Sequence, residues 1–260
     1  MNFIIITQKD ILYTPIFFEK FFKSKYPGTC KGTIIQKAFG DQSYIDLIKR
    51  MYNFYGFKDF LKQGIKYIRK TFLAALYEKE LYKKALSIEN ISHKFGIPVL
   101  PFDSVNSKEF KNWVKEQEIE LIVSIAASEI FDEEILALPE KECINFHNAP
   151  LPDYRGMLPN FWQMHYDEPY SVLTVHTMTK SVDKGKIIYQ QKTKIKAEYS
   201  LEDLILLTKK KSANALVEVL RQFKQGEVTY KPMSNVKGTY FTFPDRDDVK
   251  KFKSKGKQLL

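Results

Sequence analysis

The sequence predicts an α/β fold in which a mostly parallel β-sheet is covered by flanking helices and followed by a short C-terminal extension. First, residues 3–7 are a continuous apolar run, which is typical of a strand buried on both faces of a parallel sheet. Second, residues 11–26 have apolar side chains at helical spacing and residues 33–38 form a second strand pattern, so a strand–helix–strand unit opens the chain. Third, 260 residues with a hydrophobic fraction of 44% are enough for one large domain with its own core.

The alternation of helices and strands resumes after residue 86. Helices are predicted at residues 87–95, 107–117, 131–138, 159–164 and 201–223, and strands at residues 99–100, 121–126, 143–147, 171–178 and 187–195. Ser107 is the expected N-cap of its helix, and a turn at residues 183–185 joins the last two strands. We therefore expect a main domain over residues 1–200, and a C-terminal helix with a small extension over residues 201–260.

Residues 41–85 interrupt this alternation with one or two amphipathic helices. Positions 45 to 84 contain ten basic and four acidic residues. This segment therefore carries six of the ten excess positive charges of the chain. A membrane-surface or nucleic-acid patch would explain this charge. A solvated helix face around a packed core explains it equally simply, and we favour this interpretation because runs of charge usually face solvent.

Composition narrows the class of protein. The net charge of +10 favours anionic partners without choosing among them. Two cysteines, Cys30 and Cys143, cannot build a disulfide framework or a cysteine-rich zinc site, and four histidines argue against a polyhistidine metal cluster. The apolar N-terminus is too short for a signal peptide, and no apolar run is long enough for a membrane span. We expect a cytoplasmic enzyme or binding protein without a metal and without stable membrane insertion.

The most informative segment begins at Asn145 and His147. Because these residues lie two apart on a predicted strand, their side chains project to the same face. The strand then enters a loop stiffened by Pro150 and Pro152. Open α/β sheets bind ligands beyond the carboxyl ends of their strands, which is where this pair lies. An isolated Asn-x-His would more often be a core histidine beside a turn asparagine.

Asp183, two residues before Gly185, adds a carboxylate to this pair. An asparagine, a histidine and an aspartate suit acyl transfer to an amine. The amide can donate to a developing oxyanion. The imidazole can donate to the same oxyanion when it is protonated, or relay the amine proton when it is neutral. The aspartate would set the charge state of the imidazole and orient a proton-carrying water.

Four motifs occur in order: Asn145-Phe-His147, the loop from Pro150 to Gly156 that reads Pro-Leu-Pro-Asp-Tyr-Arg-Gly, Pro159-Asn-Phe-Trp162, and Asp183-Lys-Gly185. In this respect the chain resembles the formyltransferases that use N10-formyltetrahydrofolate. The resemblance covers roughly residues 1–191 and is strongest over 143–190. Ala149-Pro150 departs from the Ser-Leu of many members, but no catalytic group is lost.

The resemblance implies a Rossmann-like formyltransferase fold, with residues 1–200 as the catalytic domain and N10-formyltetrahydrofolate as the co-substrate. It implies that Asn145, His147 and Asp183 are the catalytic residues. It also implies that the folate pterin packs, largely against backbone groups, near Ser128, Glu129, Ile130, Phe131, Thr179 and Lys180.

The length and sequence of the C-terminal part indicate which amine accepts the formyl group. Formyltransferases of methionyl-tRNA carry a C-terminal barrel of about a hundred residues, and only about seventy residues follow Gln191, so we expect no such barrel. The tail at residues 238–248 and the segment 147–152 resemble the sugar N-formyltransferases. We therefore predict formylation of a nucleotide-linked amino-deoxysugar, dTDP-4-amino-4,6-dideoxyglucose, for surface polysaccharide such as the O-antigen of lipopolysaccharide. A methionyl-tRNA or glycinamide ribonucleotide formyltransferase is the alternative enzyme, and a basic nucleic-acid or membrane-binding protein is the alternative outside enzymes.

A nucleotide-sugar acceptor carries a diphosphate, so a cationic contact is expected. Lys9, in the loop after the first strand, is the candidate, whereas Tyr240 and Phe241 would either stack on the base or anchor the tail in the core. His176 alternates with apolar neighbours and is interpreted as structural. We expect a homodimer that binds no nucleic acid.

Overall fold

A mixed β-sheet forms the centre of the protein. The computed structural model describes residues 1–38, 43–233 and 237–260. Its strands are β1 (Asn2–Gln8), β2 (Thr29–Gln36), β3 (Leu121–Ile125), β4 (Glu142–His147), β5 (Arg155–Gly156), β6 (Tyr170–Thr177), β7 (Ile187–Lys194) and β8 (Tyr240–Phe241). Within the described residues, six of them join in the order β2-β1-β3-β4-β6-β7. The first four are parallel, whereas β6 is antiparallel to β4 and β7 is antiparallel to β6. The predicted α/β fold with a mostly parallel sheet is confirmed.

Helices connect these strands and follow the sheet. They are α1 (Thr14–Lys23), α2 (Tyr44–Glu78), α3 (Ile88–Lys94), α4 (Lys108–Glu116), α5 (Glu133–Ala137), α6 (Pro159–His165), α7 (Leu201–Gln225) and α8 (Arg246–Ser254). The Ser107 hydroxyl accepts a hydrogen bond from Phe110 N, as predicted for an N-cap. The strand expected at residues 99–100 is reduced to a single parallel bridge between Val99 and Thr33.

The sheet is buried on both faces because apolar residues of its parallel strands follow one another without interruption. In β1, Phe3 and Ile5 pack on one face with side chains of α1, α3 and α7. Ile4 and Ile6 pack on the other face with side chains of α4 and α5. The helix α7 thus contributes to the same core as the sheet, and the domain boundary that we place at residue 200 stays a prediction.

After Lys231, which forms an antiparallel bridge with Ile187 of β7, the C-terminal segment packs on α6. Phe252 of α8 stacks on Phe161 with ring centroids 4.8 Å apart. The indole of Trp162 donates to the carbonyl of Thr242 and stacks on Phe241. This aromatic cluster attaches the tail to the helix that follows the Pro150–Gly156 loop.

The helical insertion predicted at residues 41–85 contains α2, which spans Tyr44–Glu78. Residues 41 and 42 lie outside the described residues. The helix bends at Gly56, whose φ of 71° is not helical. Before the bend, Phe54 is buried against Phe161 and Phe243. After the bend, polar side chains make several of the contacts with the main body. Gln63 donates to the Tyr13 hydroxyl, and Lys70 donates to the carbonyls of Ile11 and Leu12. No helix in the described part of the chain is both long enough and apolar enough to cross a membrane.

Candidate active site

Asn145 and His147 lie on β4, where they face the same side of the sheet as predicted. The antiparallel neighbour β6 places His176 directly opposite Asn145, and Thr174 directly opposite His147. Since residues that are paired across two strands share a face, all four side chains lie on one surface of the sheet. This surface continues the one on which Cys143 packs against α5.

Asp183 reaches this surface from the connection between β6 and β7. The connection is tight: a Cβ on Gly185 would lie 1.7 Å from the carbonyl oxygen of Thr177. The backbone of Asp183 itself has a left-handed φ of 54°. One carboxylate oxygen, Oδ2, accepts a hydrogen bond from Gly156 N at 3.2 Å. The turn therefore requires glycine at 185, and it holds the carboxylate over the strand ends.

The three residues predicted to be catalytic converge with one more, His176. Asp183 Oδ1 lies 3.8 Å from His147 Nδ1 and 3.5 Å from His176 Nε2. The Asn145 amide donates to His176 Nε2 at 3.3 Å. His147 Nε2 donates to the carbonyl of Tyr154 at 2.9 Å. The site is thus a carboxylate facing two imidazoles, with an amide beside them.

Burial sets the charges of this site. Burial lowers the pKa of His147 below its ordinary value, although the carboxylate of Asp183 and the carbonyl of Tyr154 act in the opposite direction. Burial alone would raise the pKa of Asp183, but the neighbouring imidazoles of His176 and His147 and the Gly156 N–H bring it below its ordinary value. Near neutral pH the site therefore holds an ionised carboxylate and a neutral His147.

His176 is the site residue that the sequence interpretation undervalued. Its Nδ1 donates to the carbonyl of Thr177 at 2.8 Å, which leaves Nε2 as the acceptor for the amide of Asn145. The only sequence signal was its position on an apolar strand, and the pairing with Asn145 comes from a register between segments thirty residues apart.

Comparison with known proteins shows the family of the chain. A family model described as formyl transferase matches residues 80–220, which is more than half of the chain and includes the whole site. The chain belongs to the formyl transferase family. Among curated proteins, it is similar to the methionyl-tRNA formyltransferase of Caldanaerobacter subterraneus subsp. tengcongensis, with 32% identity over 154 residues. It is also similar to that of Kosmotoga olearia, with 27% identity over 166 residues. The aligned regions cover 59% and 62% of this chain and 50% and 52% of those proteins, so the chain spans about half the length of these relatives.

Solved structures of formyltransferases share the fold. The N-formyltransferase of Helicobacter canadensis, in complex with folinic acid and dTDP-3-aminofucose, gives a TM-score of 0.59 at 17% identity, covering 95% of this chain and 71% of that one. The phosphoribosylglycinamide formyltransferase of Anaplasma phagocytophilum also gives 0.59, at 13% identity, covering 94% and 99%. At these identities the likeness establishes the formyltransferase fold, which confirms that prediction.

The residues predicted to bind the pterin occupy two kinds of environment. The Glu129 carboxylate is an internal tie that accepts hydrogen bonds from Gln36, Ser104, Asn106 and the backbone N–H of Val105. The backbone N–H of Ser128 donates to the Gln36 amide, and Phe131 is buried in the core beside α5. These contacts fix the shape of the chain after β3, and the carbonyl of Ile130 is also engaged, by the amide of Asn106.

The remaining predicted pterin residues are more exposed. Ile130 and Lys180 line an open cleft of about 540 Å³ together with Phe131 and the start of α5. The Lys180 ammonium pairs with Glu133 at the rim of this cleft. The Thr179 hydroxyl donates to the carbonyl of Ser181, within the connection that carries Asp183. The role of these residues in binding folate stays a prediction.

The residues predicted to bind the acceptor are not among the contacts of the catalytic cluster. Lys9 is exposed in the loop after β1, where its backbone N–H donates to the carbonyl of Gln36. Tyr240 is 60% exposed. Phe241 stacks on Trp162 and Tyr154, with centroids 4.6 and 5.5 Å away, which is the tail-anchoring alternative. The tail does reach the site indirectly, because β8 pairs with Arg155 and Gly156, and Gly156 holds Asp183.

Proposed function

We propose that this protein transfers the formyl group of N10-formyltetrahydrofolate to the amine of a nucleotide-linked amino-deoxysugar, with dTDP-4-amino-4,6-dideoxyglucose as the first choice of acceptor. The observation that carries the proposal is the buried carboxylate of Asp183 between His147 and His176, with the Asn145 amide on the same sheet face. The N-formyltransferase of Helicobacter canadensis, crystallised with folinic acid and a dTDP-linked aminosugar, supports it at the level of the fold.

His147 is the residue that moves the proton. Because its Nε2 donates to the Tyr154 carbonyl, the lone pair of the neutral ring lies on Nδ1, which faces Asp183. When the amine attacks the formyl carbon it must lose a proton, and His147 Nδ1 is placed to receive it. The resulting imidazolium has the carboxylate on one side and the carbonyl on the other. At 3.8 Å the His147–Asp183 pair is longer than a hydrogen bond, and such pairs tighten when substrate fills the site.

Asn145 supplies the donor for the oxyanion. Attack on the formyl carbon places negative charge on its oxygen, and an amide N–H that is already oriented stabilises that charge without reorganisation. His176 accepts from the Asn145 amide through Nε2 and so fixes its direction. The proton held by His147 is then available for the departing folate nitrogen, so the transfer needs no covalent intermediate with the protein.

The co-substrate and the acceptor would approach from two sides of Asp183. Ile130, Phe131 and Lys180 line the open cleft and would offer the pterin apolar side chains and a cation, with Ser128, Glu129 and Thr179 next to them in the chain. On the other side, Lys9 would supply a cation for a diphosphate, and the exposed ring of Tyr240 an aromatic surface for the base. We further propose that the product enters surface polysaccharide such as O-antigen, and that the protein acts in the cytoplasm as a homodimer.

A methionyl-tRNA acceptor is the second candidate, because the curated relatives with 32% and 27% identity are methionyl-tRNA formyltransferases. The same cluster could serve either amine. The salt dependence of acceptor binding distinguishes the two candidates. Binding of tRNA weakens steeply with added salt, whereas binding of a small diphosphate responds only mildly.

The deciding experiment measures formyl transfer from N10-formyltetrahydrofolate to a panel of acceptors: dTDP-linked 3- and 4-amino-deoxysugars, glycinamide ribonucleotide and methionyl-tRNA. We expect kcat/KM for a dTDP-aminosugar to exceed the others by about 10⁴-fold, which is the discrimination that unpaired polar groups produce. His147→Ala should lower kcat by about 10³-fold. His93→Ala is the matched control, since His93 is half exposed beside Glu78 and outside the site. Transfer to methionyl-tRNA alone would refute the sugar acceptor, and a fully active His147→Ala protein would refute the mechanism.

A further inference from the structure

The helix α2 carries an apolar stripe on its solvent side. After the bend at Gly56, five large apolar residues are each between 53% and 69% exposed: Phe57, Leu61, Ile65, Ile68 and Phe72. At 100° per residue they fall within an arc of about 80° and extend over roughly 22 Å of helix. Single exposed apolar residues are ordinary on a protein surface, but a continuous stripe of this kind marks an interaction surface.

After the bend, the opposite side of the same helix contacts the protein. It does so through polar side chains at residues 63–70, and through the apolar side chains of Ala74 and Tyr77 near its end. Gln63 donates to the hydroxyl of Tyr13, and Lys66 pairs with Glu202. Lys70 donates to backbone carbonyls of the β1–α1 loop. Over residues 57–72 the usual amphipathic pattern is thus inverted, since polar side chains attach this part of α2 to the protein and its apolar stripe is left without a partner in the described residues.

The charges beside the stripe are all of one sign. Lys58, Lys62 and Arg69 lie along one flank of the stripe, and within the described residues none of them has a hydrogen-bond or ion-pair partner. The acidic groups of α2, in contrast, are engaged with its own protein. Asp59 pairs with Lys253, and the other two contact Ser43, Asn90 and His93. What α2 offers to the outside is therefore apolar and cationic.

We propose that this stripe binds the surface of an anionic lipid bilayer, with its apolar side chains between the lipid chains and its basic flank among the headgroups. A helix with an apolar face and a flank of Lys and Arg is the type that lies in the plane of a membrane interface. A second copy fits less well, because an antiparallel two-fold pairing of the stripe would bring the basic flank of each copy against that of the other, and a parallel one would leave both flanks without a partner. A nucleic acid would engage the cations and leave the aliphatic stripe in water.

Vesicle co-sedimentation of the full chain tests the proposal. The wild-type protein should bind vesicles made of equal parts of phosphatidylcholine and phosphatidylglycerol, and bind phosphatidylcholine vesicles at least 10-fold more weakly. Ile65→Glu/Ile68→Glu should lower binding by about 100-fold, because two aliphatic side chains no longer leave water. Tyr67→Glu is the matched control. It adds charge to the same helix at a half-exposed position about 120° away from the middle of the stripe. This variant should bind like the wild type.

The basic flank is tested separately. Lys58→Gln/Lys62→Gln/Arg69→Gln should weaken binding to the anionic vesicles by about 100-fold, since each basic residue near such a surface contributes roughly fivefold. The control carries the same loss of charge elsewhere, in the exposed residues Lys25→Gln/Lys108→Gln/Lys224→Gln, and should stay within about threefold of the wild type. Circular dichroism melts establish that each variant is folded, which is expected because all the substituted side chains are exposed.

Several results would overturn the proposal. The proposal is wrong if the wild-type protein stays in the supernatant with anionic vesicles. It is also wrong if the flank variant and its charge-matched control lose vesicle binding equally. If the lipid-free wild type is a dimer in sedimentation velocity and Ile65→Glu/Ile68→Glu is a monomer, a second copy covers the stripe. If RNA binds the wild type and Ile65→Glu/Ile68→Glu equally while vesicles do not bind, the cations alone serve a nucleic acid.

Discussion

The active-site face of the sheet and the outer face of α2 depart from ordinary protein surfaces in opposite directions. On the sheet, the carboxylate of Asp183 is 7% exposed, facing His147 and His176. On α2, the apolar side chains of Ile68 and Phe72 are 68% and 62% exposed to solvent. Buried charge and exposed apolar surface are both unfavourable in isolation, and folded proteins retain them mainly where they serve a function.

The two regions differ in what compensates the unfavourable placement. Within the site the compensation is internal, because the imidazoles and the Gly156 N–H surround the carboxylate. On α2 no described residue supplies it, so a partner has to. Substitutions in the site should therefore act on catalysis, whereas substitutions on the outer face of α2 should leave catalysis unchanged.

The largest effect should come from removing the buried charge. Asp183→Asn keeps the shape and the acceptor for Gly156 N–H but leaves the imidazolium of His147 without its counter-charge. We expect kcat to fall by about 10³-fold, with the thermal melt changed only slightly. The control is Asp167→Asn, which removes an exposed carboxylate that pairs with Lys255 and Lys257. An Asp183→Asn protein with wild-type kcat would show that the carboxylate has no part in proton transfer.

The turn that carries Asp183 should be the next most sensitive feature. Gly185→Ala places a methyl group 1.7 Å from the Thr177 carbonyl, so the backbone has to move. We expect a loss of about 3 kcal/mol in the free energy of unfolding, which is the range for overpacking in a tight site. Denaturant titration measures the stability, and kcat should fall as Asp183 is displaced. A variant of unchanged stability would mean that the turn relaxes without cost.

Much of the site followed from the sequence because its motifs are local. Asn145 and His147 share a strand, so periodicity puts them on one face, whereas the grouping of Asp183 with them was implied by the resemblance to the formyltransferases. The role of His176 depends on the register of β4 against β6, which no local pattern encodes. Glu129 shows the same limit, since the segment was located correctly at the end of β3 but its carboxylate turned out to be an internal tie.

The orientation of α2 was harder to predict for a related physical reason. Apolar residues at helical spacing indicate that a helix has an apolar side, but not which side contacts the rest of the protein. The contact here depends on Gln63, Lys66 and Lys70 meeting groups far away in the chain. The predicted solvated face exists, and it includes apolar side chains such as Ile65 as well as charges.

The pKa of His147 tests how the buried charge on the sheet is compensated. Since burial lowers its pKa and Asp183 opposes that effect, an NMR titration of the His147 ring should give a pKa below the ordinary value. In Asp183→Asn the pKa should fall further, because only the burial effect and the Tyr154 carbonyl remain. The unfolded chain binds this proton more tightly than the folded one, so stability should decrease as the pH falls through the ordinary histidine range. A raised pKa in the wild type would mean that the imidazolium is the resting form.

The smallest effect should come from α2, and its sign should be opposite. No described atom lies within 4 Å of a Cβ built on Gly64, which sits in the helical part of α2. Gly64→Ala should therefore raise the free energy of unfolding by about 0.5–1 kcal/mol, through the reduced freedom of the unfolded chain. Gly56→Ala is the contrasting control, because its φ of 71° disfavours a side chain and the same substitution should destabilise by about 1–2 kcal/mol. Denaturant titrations of both variants, with formyl transfer measured alongside, should show stability moving in opposite directions while kcat stays constant. A destabilising Gly64→Ala would place other parts of the protein against this side of the helix, and a change in kcat would connect α2 to the catalytic site.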